Sequence, residues 1–231
     1  MIGSRFTIVL ILLLLFCSEA SAQKVRKPSN PPPPVVVEPT KPLPPPEPEK
    51  VVPPEVALSV EEMRTLQAVI ETSMGRIVFD FYADAAPNHV RQFVWLARVG
   101  YFDGMSVSRV IPKFIVQSGN FASWEETNPN RKKIFEIPKL KAEYDPNIKH
   151  ERGAVSLARP NGEPDGGTCH FFICTQKASS LDGQYTVFGK VIEGLDILDI
   201  IAAVPIEEGT QDKPKERIEV RQVLIRERVT Q

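Results

Sequence analysis

Residues 28–54, PSNPPPPVVVEPTKPLPPPEPEKVVPP, can supply neither a helix nor an inner sheet strand. Thirteen of these 27 residues are proline, and each one locks φ and removes a backbone donor. The tract also cannot bury enough apolar surface to fold. It is expected to run as extended polyproline II at about 3.1 Å per residue, a semi-rigid spacer of roughly 80 Å. Service as a ligand for a proline-reading domain is the alternative. A folded domain must therefore lie beyond it, and the chain divides into residues 1–22, a linker and lead-in over 23–65, and a domain over 66–231.

The N-terminal stretch, MIGSRFTIVLILLLLFCSEASAQ, has one Arg, an apolar run over residues 6–17, and Ala20-Ser21-Ala22. That order is a secretory signal peptide with cleavage after Ala22. The run is short for a membrane span, which needs about 20 residues. Bulky Phe16 before Cys17 argues against a lipoprotein site. The protein is expected to be exported, to a periplasm or outside the cell; only a retained N-terminus would anchor it to a membrane. The remaining cysteines, Cys169 and Cys174, sit in one β run, CHFFICT. Five extended residues span about 17 Å, too far for a disulfide. Two free thiols are expected, so the core alone must hold the fold. A net charge of −1 offers no basic field for nucleic acid.

Residues 55–65 read as an acidic helical lead-in capped by Ser59. LQAVIETSMGRIVFDFYAD is two β runs around a turn at residues 73–75, and APNHVRQFVWLARVGYFDG has helical spacing, with Pro87 in its first turn and Gly100 at its end. SVSRVIPKFIVQSGNF (residues 106–121) gives two strands around Pro112-Lys113, and residues 122–150 a long polar loop with one short strand at KIFEI. Further β runs are GAVSLAR, CHFFICT, YTVFGKVI and RIEVRQVLIRE, with a second helix at GLDILDIIAAVP. Many β runs with two separated helices and no β-α-β alternation predict a mainly β fold, a barrel with helices at its ends.

His89, His150 and His170 are scattered, and no zinc-site spacing occurs. There is no G-x-S-x-G, and GEPDGGT lacks the Lys of a phosphate loop. Neither metal nor cofactor is expected. What remains is a polar pair in the 106–121 hairpin. A three-residue connection (Pro112, Lys113, Phe114) sets Ile111 against Ile115, Val110 against Val116, and Arg109 against Gln117. Opposed residues have Cβ atoms about 5 Å apart. By pattern alone the pair could be a solvent-facing surface feature or part of a working pocket.

FDGMSVSRVIPKFIVQSG, GAVSLAR, HFFICT and LDGQYTVFGKVIEGLDIL together resemble the cyclophilin family of peptidyl-prolyl cis–trans isomerases, in family order, from about residue 67 to 227. The resemblance implies a closed eight-stranded antiparallel β barrel capped by two α-helices. It implies Arg109 as the catalytic arginine, with Gln117 supporting it and contacting substrate backbone. Phe114, Ile115, Phe172 and Leu181 match the pocket for the proline ring, and Ala158 the small residue lining the groove. Ser180 stands where strong cyclosporin binders carry Trp, and Tyr185 where many members have His. Arg159 replaces a common Asn, His170 a frequent Gln, and Val107 a frequent Phe; these departures imply altered substrate preference at the groove. The implied substrates are unfolded or flexible proline-containing chains, met by a monomer without nucleic acid. A non-catalytic proline-peptide-binding or chaperone module on the same tether is the alternative, and a hollow small-ligand carrier a third.

Overall fold

The computed structural model describes residues 48–51, 53, 58–210 and 212–228. The signal segment and most of the proline tract lie outside the described residues. The lead-in helix α1 (Val60–Arg64) begins at Ser59, whose hydroxyl accepts from the Glu62 N–H while the Glu62 carboxylate accepts from the Ser59 N–H. This reciprocal pair satisfies two donors that a helix start leaves free.

Strands β2 (Leu66–Thr72) and β3 (Gly75–Phe81) form the expected hairpin. Helix α2 (Pro87–Arg98) follows, then β4 (Met105–Ser106), β5 (Arg109–Ile111) and β6 (Ile115–Ser118). Further along lie β8 (Ala154–Leu157), β9 (Phe171–Cys174), β10 (Val187–Glu193), helix α3 (Leu195–Ala202) and β11 (Glu219–Glu227). Two short strands, β1 (Lys50–Val51) and β7 (Ile134–Phe135), pair in parallel apart from these. The end of the proline tract thus meets the domain through Lys50 and Val51.

Among the described residues the main sheet has nine strands in the order β4-β11-β2-β3-β10-β8-β9-β6-β5, every adjacent pair antiparallel. This corrects the expected closed eight-stranded barrel. The chain between β3 and the hairpin makes an extra short strand, β4, which pairs with β11. Its successor β5 starts three residues later at the opposite edge. The sheet therefore curls until its two edges are separated by only Val107 and Ser108, with no ladder joining β4 to β5.

Aromatic rings fill the inside of the curl. Phe93 of α2 stacks on Phe102 at 4.8 Å and meets Phe79, Phe171 and Phe188 at 5.4 Å each. All five rings are buried, so the interior is packed and the hollow-carrier reading fails. Helix α2 has no side-chain cap of its own. Glu143, from the loop before β8, instead accepts from the Asn88 and His89 N–H groups at 3.1–3.2 Å. A carboxylate there satisfies orphan donors and matches the helix dipole. The same loop donates its Glu143 N–H to Thr186 Oγ1, which ties residues 184–186 to the helix.

Candidate active site

The β5–β6 hairpin turns through Pro112, Lys113 and Phe114, with Lys113 at φ +58° and the Phe114 N–H donating to Ile111 O at 3.1 Å. This length fixes the register: Arg109 faces Gln117, Val110 faces Val116, and Ile111 faces Ile115. The β6–β9 and β9–β8 ladders extend the first pair into a row, Arg109, Gln117, Phe172, Ser156. Side chains alternate between faces along a strand. Val110, Val116, Phe171 and Ile173 therefore join the central core. Ile115, Phe172 and Cys174 belong to a second apolar cluster on the outer face, against which Phe114, Leu181 and Tyr185 pack.

A cleft of about 380 Å³ opens over that cluster. Phe114, Ile115, Phe172 and Leu181 form its apolar wall, and Arg109 and Gln117 stand beside it. Ala158, Arg159, His170 and Tyr185 line the remainder with Pro160, Asn161, Gly166 and Thr168. Ten of the residues that the family resemblance singles out line this cleft. Val107 and Ser180 do not: Val107 is buried in the central core, and Ser180 is exposed on the turn before Leu181. The Val107 departure thus bears on core packing, not on the groove as expected.

The wall is held from behind. The His150 ring lies parallel to Phe172, with centroids 6.1 Å apart. His150 is itself fixed by Asp182, which accepts from the His150 N–H at 2.8 Å and meets Nδ1 at 2.9 Å. Burial lowers the His150 pKa against the opposing pull of Asp182. Bonds from the His150 backbone and ring hold the Asp182 carboxyl below its usual range. Tyr185 packs edge-on to Phe172 at 5.6 Å. His170, whose carbonyl accepts from the Ala158 N–H at 2.8 Å, is kept neutral by burial, which lowers its pKa.

The sequence points to Gln117 as the support of Arg109, yet the structure adds another residue. Arg109 Nε donates to the carboxylate of Asp212, which lies 103 positions downstream in the turn before β11. That turn is fastened to the hairpin by the Val110 N–H, which donates to Asp212 O at 2.7 Å. Using Nε for the carboxylate leaves the two terminal nitrogens of the planar guanidinium for other partners. Nothing local in GTQDKPKE marks this Asp as a partner of the hairpin. Both remaining cysteines are free and buried, as their strand spacing predicts, and burial pushes the Cys174 thiol up to about 12.

Residues 67–225 match the family described as cyclophilin type peptidyl-prolyl cis-trans isomerase/CLD. A peptidyl-prolyl cis-trans isomerase of Helicobacter pylori is 36% identical over 151 residues, 64% of this chain and 88% of that protein. A peptidyl-prolyl cis-trans isomerase-like 1 of Gibberella zeae is 33% identical over 156 residues, 68% of this chain and 92% of that protein. Among solved structures, a Cryptosporidium parvum cyclophilin type isomerase, crystallised in the presence of the dipeptide Ala-Pro, superposes with a TM-score of 0.60. The two are 25% identical, and the match covers 70% of this chain and 99% of that one.

The chain belongs to the cyclophilin-type peptidyl-prolyl cis–trans isomerase family. Its reaction is the interconversion of cis and trans X–Pro peptide bonds.

Proposed function

We propose that this isomerase acts on unfolded or flexible proline-containing chains in an exported compartment, with Arg109 as the group that stabilises the transition state. The observation that carries the reading is the Arg109–Gln117 pair standing beside the apolar wall of a cleft of about 380 Å³. The Ala-Pro dipeptide present with the Cryptosporidium relative supports the choice of ligand. The N-terminal charge, apolar run and Ala20-Ser21-Ala22 site support export, and the proline tract would then serve as a spacer.

Rotation about an amide is opposed by resonance, with a barrier of about 18–20 kcal/mol. For X–Pro the isomers lie close in energy and exchange over roughly 10–100 s unaided. No bond need break, so neither nucleophile nor cofactor is called for. Twisting removes the resonance, and the prolyl nitrogen becomes pyramidal and a better acceptor. A guanidinium N–H aimed at that nitrogen stabilises the twisted state over both planar ones, which is the condition for catalysis. Phe114, Ile115, Phe172 and Leu181 grip the ring while the acyl side turns. Gln117 and the backbone beside Ala158 hold the main chain on either side.

Arg109→Ala is expected to lower kcat/KM in a protease-coupled X–Pro assay by about a hundredfold, the scale of one preorganised transition-state donor. A variant with wild-type circular dichroism and wild-type turnover would sink the assignment. Mass measurement of the mature N-terminus tests export: cleavage after Ala22 is expected, and an intact residue 1 would count against it.

A further inference from the structure

The cleft is lined by two arginines and by no Asp or Glu. Arg109 is neutralised from behind by Asp212. Arg159 is not: among the described residues no carboxylate lies within 4.0 Å of its guanidinium. Its Nε donates to Gln184 O and its Nη1 to Pro160 O, both at 3.1 Å. Its central carbon lies 4.6 Å from the centre of the Tyr185 ring. Three contacts thus hold a partly exposed charge in a defined place, with Nη2 unused. The acids of the loop that follows Arg159 do not line the cleft and are engaged elsewhere, Glu163 with Lys139 Nζ at 3.0 Å and Asp165 with the Ala142 N–H at 2.8 Å. His170 adds no charge at neutral pH because burial lowers its pKa.

We infer that Arg159 makes this isomerase select X–Pro segments bearing an acidic side chain near the proline. The inference rests on the cleft being the substrate site as proposed above. A proline ring against Phe114, Phe172 and Leu181 leaves one flank of an extended peptide running toward Arg159, Pro160 and Asn161. Successive residues advance about 3.3 Å, so a Glu within three positions of the proline comes within reach of a guanidinium. Arg presents a fork that pairs with a carboxylate through two N–H groups. Part of the usual ordering cost is already met, because the Tyr185 face and two carbonyls hold the arginine.

The test is a peptide series built on one X–Pro reporter, with Glu, Ala or Lys placed in turn at each of three positions on either side of the proline. At about 20 mM salt, kcat/KM for the best Glu peptide is expected to exceed that of its Lys counterpart by about two- to fivefold, the range of a surface pair. The ratio should shrink toward one at about 0.5 M salt, where screening is short-ranged. In Arg159→Gln the ratio is expected to vanish, and in Arg159→Glu to invert. Each ratio is read within one variant, so a general change in rate cancels. A Glu preference that survives in Arg159→Gln, or its absence in the wild type, overturns the inference. Neither result touches the proposed catalytic role, which fails only if Arg109→Ala turns over Ala peptides at the wild-type rate.

Discussion

Among the described residues the Asp212 side chain hydrogen-bonds Arg109 Nε alone, and that contact sets which edge of the guanidinium is available to substrate. An unrestrained arginine samples many rotamers, and holding a group near its productive geometry is worth more to rate than to affinity. Asp212→Ala is therefore expected to lower kcat by about tenfold with little change in KM, a smaller loss than removal of the donor itself. Asp212→Asn keeps an acceptor for Nε and should recover part of that loss. Both partners are partly exposed, so the ion pair contributes at most about 1 kcal/mol to stability. Thermal unfolding of Asp212→Ala should stay close to wild type, which separates positioning from a structural tether. An unchanged kcat would show that the carboxylate only fastens the turn.

At the scale of elements, the cleft depends on how close β6 and β9 run at their ends. Gly119, just after β6, has φ +92°, and a Cβ there would come within 2.4 Å of Cys169 O and 2.9 Å of His170 Cα. Gly162, in the loop of the cleft's polar end, has φ +80° but nothing within 4 Å of a Cβ. Gly162→Ala thus isolates the backbone cost of a left-handed alanine, about 1 kcal/mol. Gly119→Ala adds a backbone clash and is expected to lower the Tm by about 5–10 °C, against about 2–4 °C for Gly162→Ala. Equal losses in the two variants would show that β9 yields freely at Cys169. The hairpin leading to Gly119 was legible from sequence, because a three-residue connection fixes the parity of every side chain in it. The cleft wall was legible through HFFICT and LDGQY, whose alternation puts Phe172 outside and Phe171 inside. Asp212 and Glu143 were not, since each acts on an element over 50 residues away through one side chain. The sheet's ninth strand also escaped, because a two-residue strand such as β4 carries no period to read.

For the whole molecule, the shifted groups together set the pH range in which the folded chain holds its full stability. Burial lowers the pKa of His150 and His170 below the ordinary 6.5. The unfolded chain thus binds protons first on acidification, and the stability these groups contribute is complete above about 6.5 and lost as pH falls. Glu143 adds to the loss below the usual carboxylate range. Its own burial would raise its pKa, but the bonds from His89 and Asn88 outweigh that and hold it low. Asp103, raised by burial, runs the other way at acid pH. On the alkaline side burial raises Cys169, Cys174 and Tyr101 above their ordinary values of 9.0, 9.0 and 10.0. Their contribution is complete below about 9 and lost as the unfolded chain ionises first. Urea midpoints are therefore expected to be level between about pH 6.5 and 9 and to fall on both sides. His170→Gln should flatten the acid limb and Cys174→Ala the alkaline one, each without moving the other limb. A midpoint at pH 5.5 equal to that at pH 7.5 would mean that neither histidine is desolvated in solution, and the packing of His150 behind Phe172 would have to be given up with it.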